Sequence, residues 1–228
     1  KDFSKIRPII SYFQHPLKNL YNLNGRALAF ILQRCGLKSF TLWNVRHMTR
    51  TLKRHMDELR NTCGPNTRFL TYCADIKNMY SELPHDVIKN AIDFALNHAA
   101  THNSQARRRA ITMERQKGGD IVFGSSRDPY NMSTSILTFN EIRRISTFDI
   151  EQAHFHTQGT IHRQTLGIPM GSPGSPSYAI CVCMYFEHQF HQSIYDINII
   201  HRTNPSFFSE HNDTSMTSWP SSHTTSTT

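Results

Sequence analysis

One stretch of sequence decides how the fold is interpreted: Arg68-Phe-Leu-Thr-Tyr-Cys-Ala-Asp75-Ile-Lys-Asn-Met-Tyr80-Ser-Glu-Leu-Pro-His85. An apolar, strand-forming run over residues 69–73 is followed by Asp75, and Pro84 opens a helical pattern. We therefore predict Asp75 at the end of a strand, where a fixed backbone can present a carboxylate to a divalent metal ion. The alternative is a turn or cap residue, because Asp is common where strands give way to helices.

The composition favours a polyanionic partner. The chain has 25 Lys and Arg against 17 Asp and Glu, which gives a formal net charge of +8, besides 14 His. Nucleic acid is the first candidate partner. No membrane partner is expected, since no bilayer-spanning apolar run and no amphipathic anchor stands out. The five cysteines include no Cys-x-x-Cys pair, which argues against a disulfide framework or a zinc module and favours an intracellular setting, the nucleus included.

Apolar periodicity predicts five helices, over residues 16–36, 46–61, 84–98, 139–150 and 178–190. The first is expected to be interrupted or weakened at Asn24-Gly25, and the second carries a basic surface that is most simply solvated. A capping box, Thr138 with Glu141, marks the start of the fourth.

The remaining segments are predicted as hairpins, loops and a tail. Residues 153–157 and 160–164 flank Gln158-Gly159 and predict a β-hairpin. Residues 99–135 lose periodicity and are rich in arginine, so we expect an exposed basic loop or hairpin insertion. Residues 201–228 are rich in Ser and Thr and are predicted to be disordered. Because the sequence begins at Lys1 without a signal-like segment, we expect a fragment.

A second unusual stretch runs from Leu166 to Pro176. Three glycines and three prolines fall within residues 167–176, which excludes regular structure and leaves backbone groups open for a ligand. A short basic segment, Lys5-Ile-Arg7-Pro8, is the third unusual feature. Its arginine can bind phosphate in fork fashion, although a solvated edge is the simpler alternative.

Together these three stretches resemble reverse transcriptases, which have a basic Arg-Pro segment, a palm strand ending in Asp with an aromatic five residues later, and a Gly-Ser-Pro loop that opens a helix. The endings Leu83-Pro84-His85 and Met170-Gly171-Ser172-Pro173 are most similar to Penelope-like and related telomerase-type or group II-like retroelements. The resemblance covers roughly residues 1–192.

The resemblance implies an α+β, right-hand polymerase fold with fingers and an incomplete palm. Residues 1–67 would be fingers-like, residues 68–200 palm-like with the basic insertion 99–135, and residues 201–228 the disordered tail. The implied function is RNA-directed DNA synthesis by two-metal nucleotidyl transfer. The implied partners are an RNA template, a DNA primer and deoxynucleoside triphosphates.

Roles for individual residues follow from the same resemblance. Asp75 and the backbone carbonyl of Ile76 would bind Mg²⁺, and Tyr80 would lie under the sugar of the incoming nucleotide and exclude a 2′-hydroxyl. Arg7, with Lys5, would neutralise the triphosphate. Three residues of the loop would approach the templating base and the nucleotide, where small size matters most: Gly171, Ser172 and Pro173.

The sequence departs from the family at three points. Met170 stands where many members have Gln, and Gly174 stands where Leu is usual. The family's hairpin with two adjacent aspartates is missing, since the sequence has no Asp-Asp pair and Asp196 and Asp213 stand alone. Because two metal ions need several carboxylates, we expect weak or no activity. The hypothesis is a truncated or frame-shifted copy that diverges after Phe190.

Three alternatives stay open. The first is a non-catalytic remnant that grips nucleic acid through phosphates alone. The second is a metal site on the predicted hairpin, where His154 and His156 share one strand face and His162 could lie opposite on the hairpin. The third is a helical scaffold without an active site.

Overall fold

The computed structural model describes residues 9–64, 75–76, 78–116, 118–125, 133–157 and 159–203. Helices and strands are mixed along the chain, so the α+β class is confirmed at that level. The helices are α1 (Lys18–Arg34), α2 (Met48–Cys63), α3 (Met79–Glu82), α4 (His85–His102), α5 (Phe139–Glu151) and α6 (Ser175–Thr203). The strands are β1 (Ala110–Glu114), β2 (Ile121–Phe123), β3 (Thr134–Thr138), β4 (His154–Thr157) and β5 (Thr160–Arg163).

One hydrophobic core draws on α1, α4, α5, β1 and the first half of α6. The regular spacing predicted in α4 is confirmed, because Ile88, Ile92 and Leu96 are all buried on one face. The helix also continues beyond the predicted end to His102. The core therefore takes side chains from both the predicted fingers-like segment 1–67 and the predicted palm-like segment 68–200.

Helix α1 is unbroken, so the predicted interruption at Asn24-Gly25 is wrong. Both residues are fully inside the protein: Asn24 makes buried hydrogen bonds, and a side chain on Gly25 would meet the backbone oxygen of Pro173. Tertiary packing thus overrides the low helix propensity of this pair. The helix ends before Gly36, which adopts the left-handed conformation at φ +76°.

The arginine-rich region 99–135 holds a three-stranded antiparallel sheet in the order β2-β1-β3. The expected exposed loop is wrong for β1, where Ile111 and Met113 are buried in the core. The expected hairpin is confirmed, since β1 and β2 pair directly. Helical periodicity is absent here because the region forms short strands, of which β1 (Ala110–Glu114) has only five residues. Two of the three arginines before β1 lie in a 3-10 helix, Ser104–Arg108, and the third follows it.

Two local predictions near the middle of the chain are confirmed. Helix α5 begins with a complete capping box, in which Thr138 and Glu141 exchange side-chain and backbone hydrogen bonds. Strands β4 and β5 form the predicted hairpin, with Gly159 at φ +82° in its turn.

The outer elements differ in how they are packed. Helix α2 follows a short 3-10 helix, Val45–His47, and buries none of its side chains, in keeping with the surface helix predicted over 46–61. Helix α6 begins at Ser175, earlier than predicted. The chain divides into two compact units, residues 1–188 and 189–228. Within the part of the chain that the structure describes, no helix has the length and hydropathy needed to cross a bilayer. From residue 204 onward, the predicted tail lies outside the described residues.

Candidate functional site

Backbone hydrogen bonds join the glycine- and proline-rich stretch 166–176 to Ile10, two residues after the Arg-Pro segment, and to the end of the stretch 68–85. The amide of Ile10, just after the Arg-Pro segment, donates to the carbonyl of Met170 over 2.7 Å. The amide of Gly167 donates to the carbonyl of Leu83 over 2.6 Å, and the amide of Ile168 donates to the carbonyl of Tyr80 over 3.0 Å. Segments from the start, middle and end of the compact unit are therefore joined at the Gly-Ser-Pro loop, defined here as residues 166–176.

Glycine is required at two of these junctions. Gly171 has φ +109°, and a Cβ atom there would lie 2.1 Å from the carbonyl oxygen of Ile10. Gly167 has φ +85°, and its Cβ would lie 2.3 Å from the carbonyl oxygen of Tyr80. Any other residue would combine a disfavoured backbone conformation with a backbone clash. These two glycines therefore allow other backbone segments of the protein to pack directly against the loop.

The loop also packs against α1. A Cβ on Gly25 would lie 2.9 Å from the carbonyl oxygen of Pro173, so the helix and the loop touch through backbone atoms. The hydroxyl of Ser177 donates to the carbonyl of Gly25 over 2.8 Å, and the hydroxyl of Ser175 donates to the carbonyl of Pro169. These contacts fix the loop on a rigid element, which is where precise sites are built.

A buried carboxylate, Asp149 on α5, lies behind the loop. Its Oδ1 accepts a hydrogen bond from the hydroxyl of Tyr12 over 2.9 Å. Its Oδ2 accepts from the hydroxyls of Ser172 over 2.5 Å and Tyr178 over 2.9 Å. Asp149 is only 1% exposed, so these three donors replace the water that a carboxylate needs. We call this set the Asp149 network.

The network reaches α1 through Asn24. Its Nδ2 donates to the hydroxyl of Ser146 over 2.8 Å and lies 3.4 Å from the hydroxyl of Tyr178. The network therefore connects the segment after the Arg-Pro motif, α1, α5, the loop and α6. The network was not predicted, because the helical spacing of Ile142, Ile145 and Phe148 predicts Phe148 on the buried face of α5. Phe148 is instead 49% exposed, and Asp149 faces the interior.

Burial controls protonation in this network. It raises the pKa of Asp149, and the hydrogen bonds from Ser172, Tyr12 and Tyr178 offset part of that rise. Burial, followed by the nearby Asp149 charge, also raises the pKa of Tyr12 and Tyr178, and it raises that of Tyr21 to about 12. The tyrosines are therefore held as hydrogen-bond donors, which is the role that the carboxylate requires.

The predicted loop residues occupy different environments. Gly171 is exposed and Pro173 is half-buried, so both are accessible at the loop surface. Ser172 is buried at 4% exposure, and its hydroxyl points to Asp149. The alternation leaves backbone and small groups outside while a serine anchors the loop inside.

Of the predicted metal and sugar residues, Tyr80 contacts the loop, because its carbonyl accepts a hydrogen bond from the amide of Ile168. Asp75 and Ile76 are both exposed, Ile76 at 60%. Tyr80 lies in α3 and is half-buried, and burial, with a smaller effect from Cys183, raises its pKa. Lys5, Arg7 and the predicted strand at 69–73 lie outside the described residues.

The described side chains do not provide a donor set for a pair of magnesium ions. Among the described residues, no group of three His, Cys, Asp or Glu side chains could hold a metal ion. Asp75 contributes a single carboxylate, and two ions about 4 Å apart need several to offset their charge. No chemical step through a metal ion can therefore be assigned to the described residues.

The histidine metal site proposed for the hairpin is also not formed. Strand register pairs His156 with Ile161, and it pairs His162 with Phe155. Because directly opposed residues share one face of an antiparallel pair, His162 lies on the face opposite to His154 and His156. Its ring stacks on Phe155 at 5.4 Å between centroids. The predicted grouping of His162 with His154 and His156 is therefore wrong, because His162 is directly opposed to Phe155.

Comparison of the chain with protein-family models, curated proteins and solved structures finds no match. The candidate site therefore stands on the geometry of its own residues.

Proposed function

We propose that this chain is the nucleotide- and template-handling part of an RNA-directed DNA polymerase of the reverse transcriptase type. One observation carries the proposal: the segment after Arg7-Pro8, the segment after Asp75 and the Gly-Ser-Pro loop are joined by backbone hydrogen bonds at Ile10, Tyr80 and Leu83. Tyr80 and three loop residues are site residues of the resemblance, and Ile10 follows Arg7 by three positions. Nucleotidyl transfer depends on positioning and charge neutralisation, and such a junction supplies positioning.

Each part has a role under this proposal. Lys5 and Arg7 neutralise the triphosphate, and Tyr80 packs under the sugar. Gly171 and Pro173 present a low-bulk surface to the base pair being formed. Ser172 acts behind that surface, since its hydroxyl holds the loop to Asp149. Asp75, with the Ile76 carbonyl, would hold magnesium if further carboxylates were supplied.

A second candidate is a nucleic-acid-binding remnant without catalysis. It is favoured by the isolation of Asp75, which is exposed and has no cluster of metal-ligating side chains around it within the described residues. The net charge of +8 supports nucleic-acid binding under both proposals.

Two measurements on the full chain separate the candidates. Binding of an RNA template annealed to a DNA primer is measured by fluorescence anisotropy at several salt concentrations, and primer extension is measured with deoxynucleoside triphosphates and Mg²⁺. Extension that Asp75→Asn abolishes supports the polymerase. Salt-dependent binding without extension supports the remnant. Absence of both excludes the two candidates together.

A further inference from the structure

An open groove lies between the C-terminal end of α1, the 3-10 helix Ser104–Arg108 and strand β2. It encloses about 500 Å³ and is lined by aromatic, polar and basic side chains. It shares no lining residue with the loop junctions or the Asp149 network. Its volume is in the range of small-ligand pockets.

The groove contains a preformed stacking platform. The Arg34 guanidinium carbon lies 4.0 Å from the centre of the Phe30 ring, which is a cation–π arrangement. Phe30 in turn contacts Phe123 of β2, with 5.0 Å between ring centres. Arg34 is exposed, so the guanidinium face turned away from Phe30 is accessible to a second planar group.

Hydrogen bonds fix the geometry of this groove. Asn103 Nδ2 donates to the carbonyl of Arg34 over 3.0 Å, and Asn103 Oδ1 accepts from the amide of Gln105 over 2.9 Å. One side chain thus connects the end of α1 to the start of the 3-10 helix. The two walls of the groove are held together before any ligand binds, which lowers the entropic cost of binding.

The groove carries positive charge. Among the described side chains that line it, none is Asp or Glu. Neither Arg34 nor Arg108 forms an ion pair with another described residue, whereas Arg143 is paired with Asp93 at 2.5 Å. Arg107 and Arg109 flank Arg108 and are exposed. The groove therefore combines arginines that can bind anionic groups with aromatic rings that can stack.

We propose that this groove binds a single-stranded nucleic acid segment, with a base stacked on the Arg34–Phe30 platform and neighbouring phosphates on Arg34 and Arg108. Stacking platforms inside basic grooves are the general means of binding single strands. A duplex fits less well because its base faces are covered by neighbouring base pairs. The inference rests on the proposed function only in choosing nucleic acid as the anion, and it adds a contact outside the resemblance motifs.

The test uses the full chain and a fluorescein-labelled 12-nucleotide RNA, with the same RNA in a duplex as the second probe. Arg34→Ala with Arg108→Ala should weaken single-strand binding at least tenfold and lower the salt slope by about 1.4, since each phosphate contact on a single strand contributes about 0.7. Phe123→Leu, which retains an apolar side chain, should weaken it by about fivefold through loss of stacking support. Thermal unfolding confirms that each variant is folded.

The matched control is Arg144→Ala with Arg163→Ala, which removes the same charge from exposed sites that do not line the groove. It should weaken binding less than threefold. Equal losses for groove and control variants, equal losses for single strand and duplex, or no binding of single-stranded RNA by the wild type would each overturn the inference. Primer extension is not used, so failure of the polymerase proposal leaves these outcomes distinct.

Discussion

Two aspartates in this chain have opposite surroundings. Asp149 is buried and accepts three hydroxyl hydrogen bonds. Asp75 is exposed, and no hydrogen bond or ion pair joins it to another described residue. A carboxylate that the fold supplies with donors has a structural role already, whereas one left at the surface is available to a ligand. The difference shows that the residue expected to perform chemistry is not the one that organises the site.

The largest expected effect comes from removing the buried carboxylate. Asp149→Ala leaves the hydroxyls of Tyr12, Ser172 and Tyr178 without their shared acceptor inside the core. We expect the free energy of unfolding to fall by about 3–5 kcal/mol. Urea denaturation followed by circular dichroism measures the change.

Asp149→Asn is the conservative companion. Its amide oxygen can still accept from Tyr12, while its amide nitrogen faces the hydroxyls of Ser172 and Tyr178, which can rotate to accept. We expect it to retain at least half of the stability lost in Asp149→Ala. Equal losses in the two variants would mean that charge, rather than hydrogen bonding, holds the network.

The next largest effect is expected from disrupting the contact between the Gly-Ser-Pro loop and Ile10. Gly171→Ala places a methyl group against the Ile10 carbonyl in a left-handed conformation, so we expect a loss of about 3 kcal/mol. Gly36→Ala is the matched control, because Gly36 also has a positive φ but no atom lies within 4 Å of its added Cβ. That variant should lose about 1 kcal/mol. Similar losses would show that the contact with Ile10 does not hold the loop.

A smaller effect is expected from pH. Because burial raises the pKa of Asp149 in the folded state, the folded protein binds more protons than the unfolded chain between the ordinary carboxyl value and the raised one. The contribution of Asp149 to the free energy of unfolding is thus fully present below the ordinary carboxyl pKa, and it is lost as pH rises through the raised pKa of the folded state. The groups facing it are Tyr12, Tyr21, Tyr178 and His15.

The measurement is the midpoint of urea unfolding at a series of pH values. Asp149→Asn should remove the component that falls with rising pH while leaving the contributions of other carboxyl groups. An unchanged pH profile in that variant would assign the dependence to a different group.

Local sequence features predicted much of the secondary structure, and long-range contacts explain the errors. The spacing of Ile88, Ile92 and Leu96 and the capping box at Thr138 are local, and both predictions are confirmed. The Asp149 network joins residues separated by 137, 23 and 29 positions, so no local pattern marks it. A local feature marks the carboxylate alone and not its partners: Asp149 follows Ile142 by two helical turns and therefore lies on the buried face.

The continuity of α1 depends on distant contacts in the same way. Asn24-Gly25 is a weak helical pair by propensity, but Ser146 and Pro173, which accommodate it, lie more than a hundred residues further along the chain. The glycines of the loop were predicted to open the backbone for a ligand. Two of them, Gly167 and Gly171, also leave space for backbone carbonyls of the protein itself to pack against the loop.

The smallest expected effect on stability is at Asp75. Since its side chain is exposed, Asp75→Asn should change the free energy of unfolding by less than about 0.5 kcal/mol, while abolishing any Mg²⁺-dependent primer extension that the wild type shows. Asp57→Asn, an exposed carboxylate on α2, is the control and should leave extension unchanged. A loss of several kcal/mol in Asp75→Asn would place Asp75 in a structural role like that of Asp149, and the contrast between the two aspartates would then no longer hold.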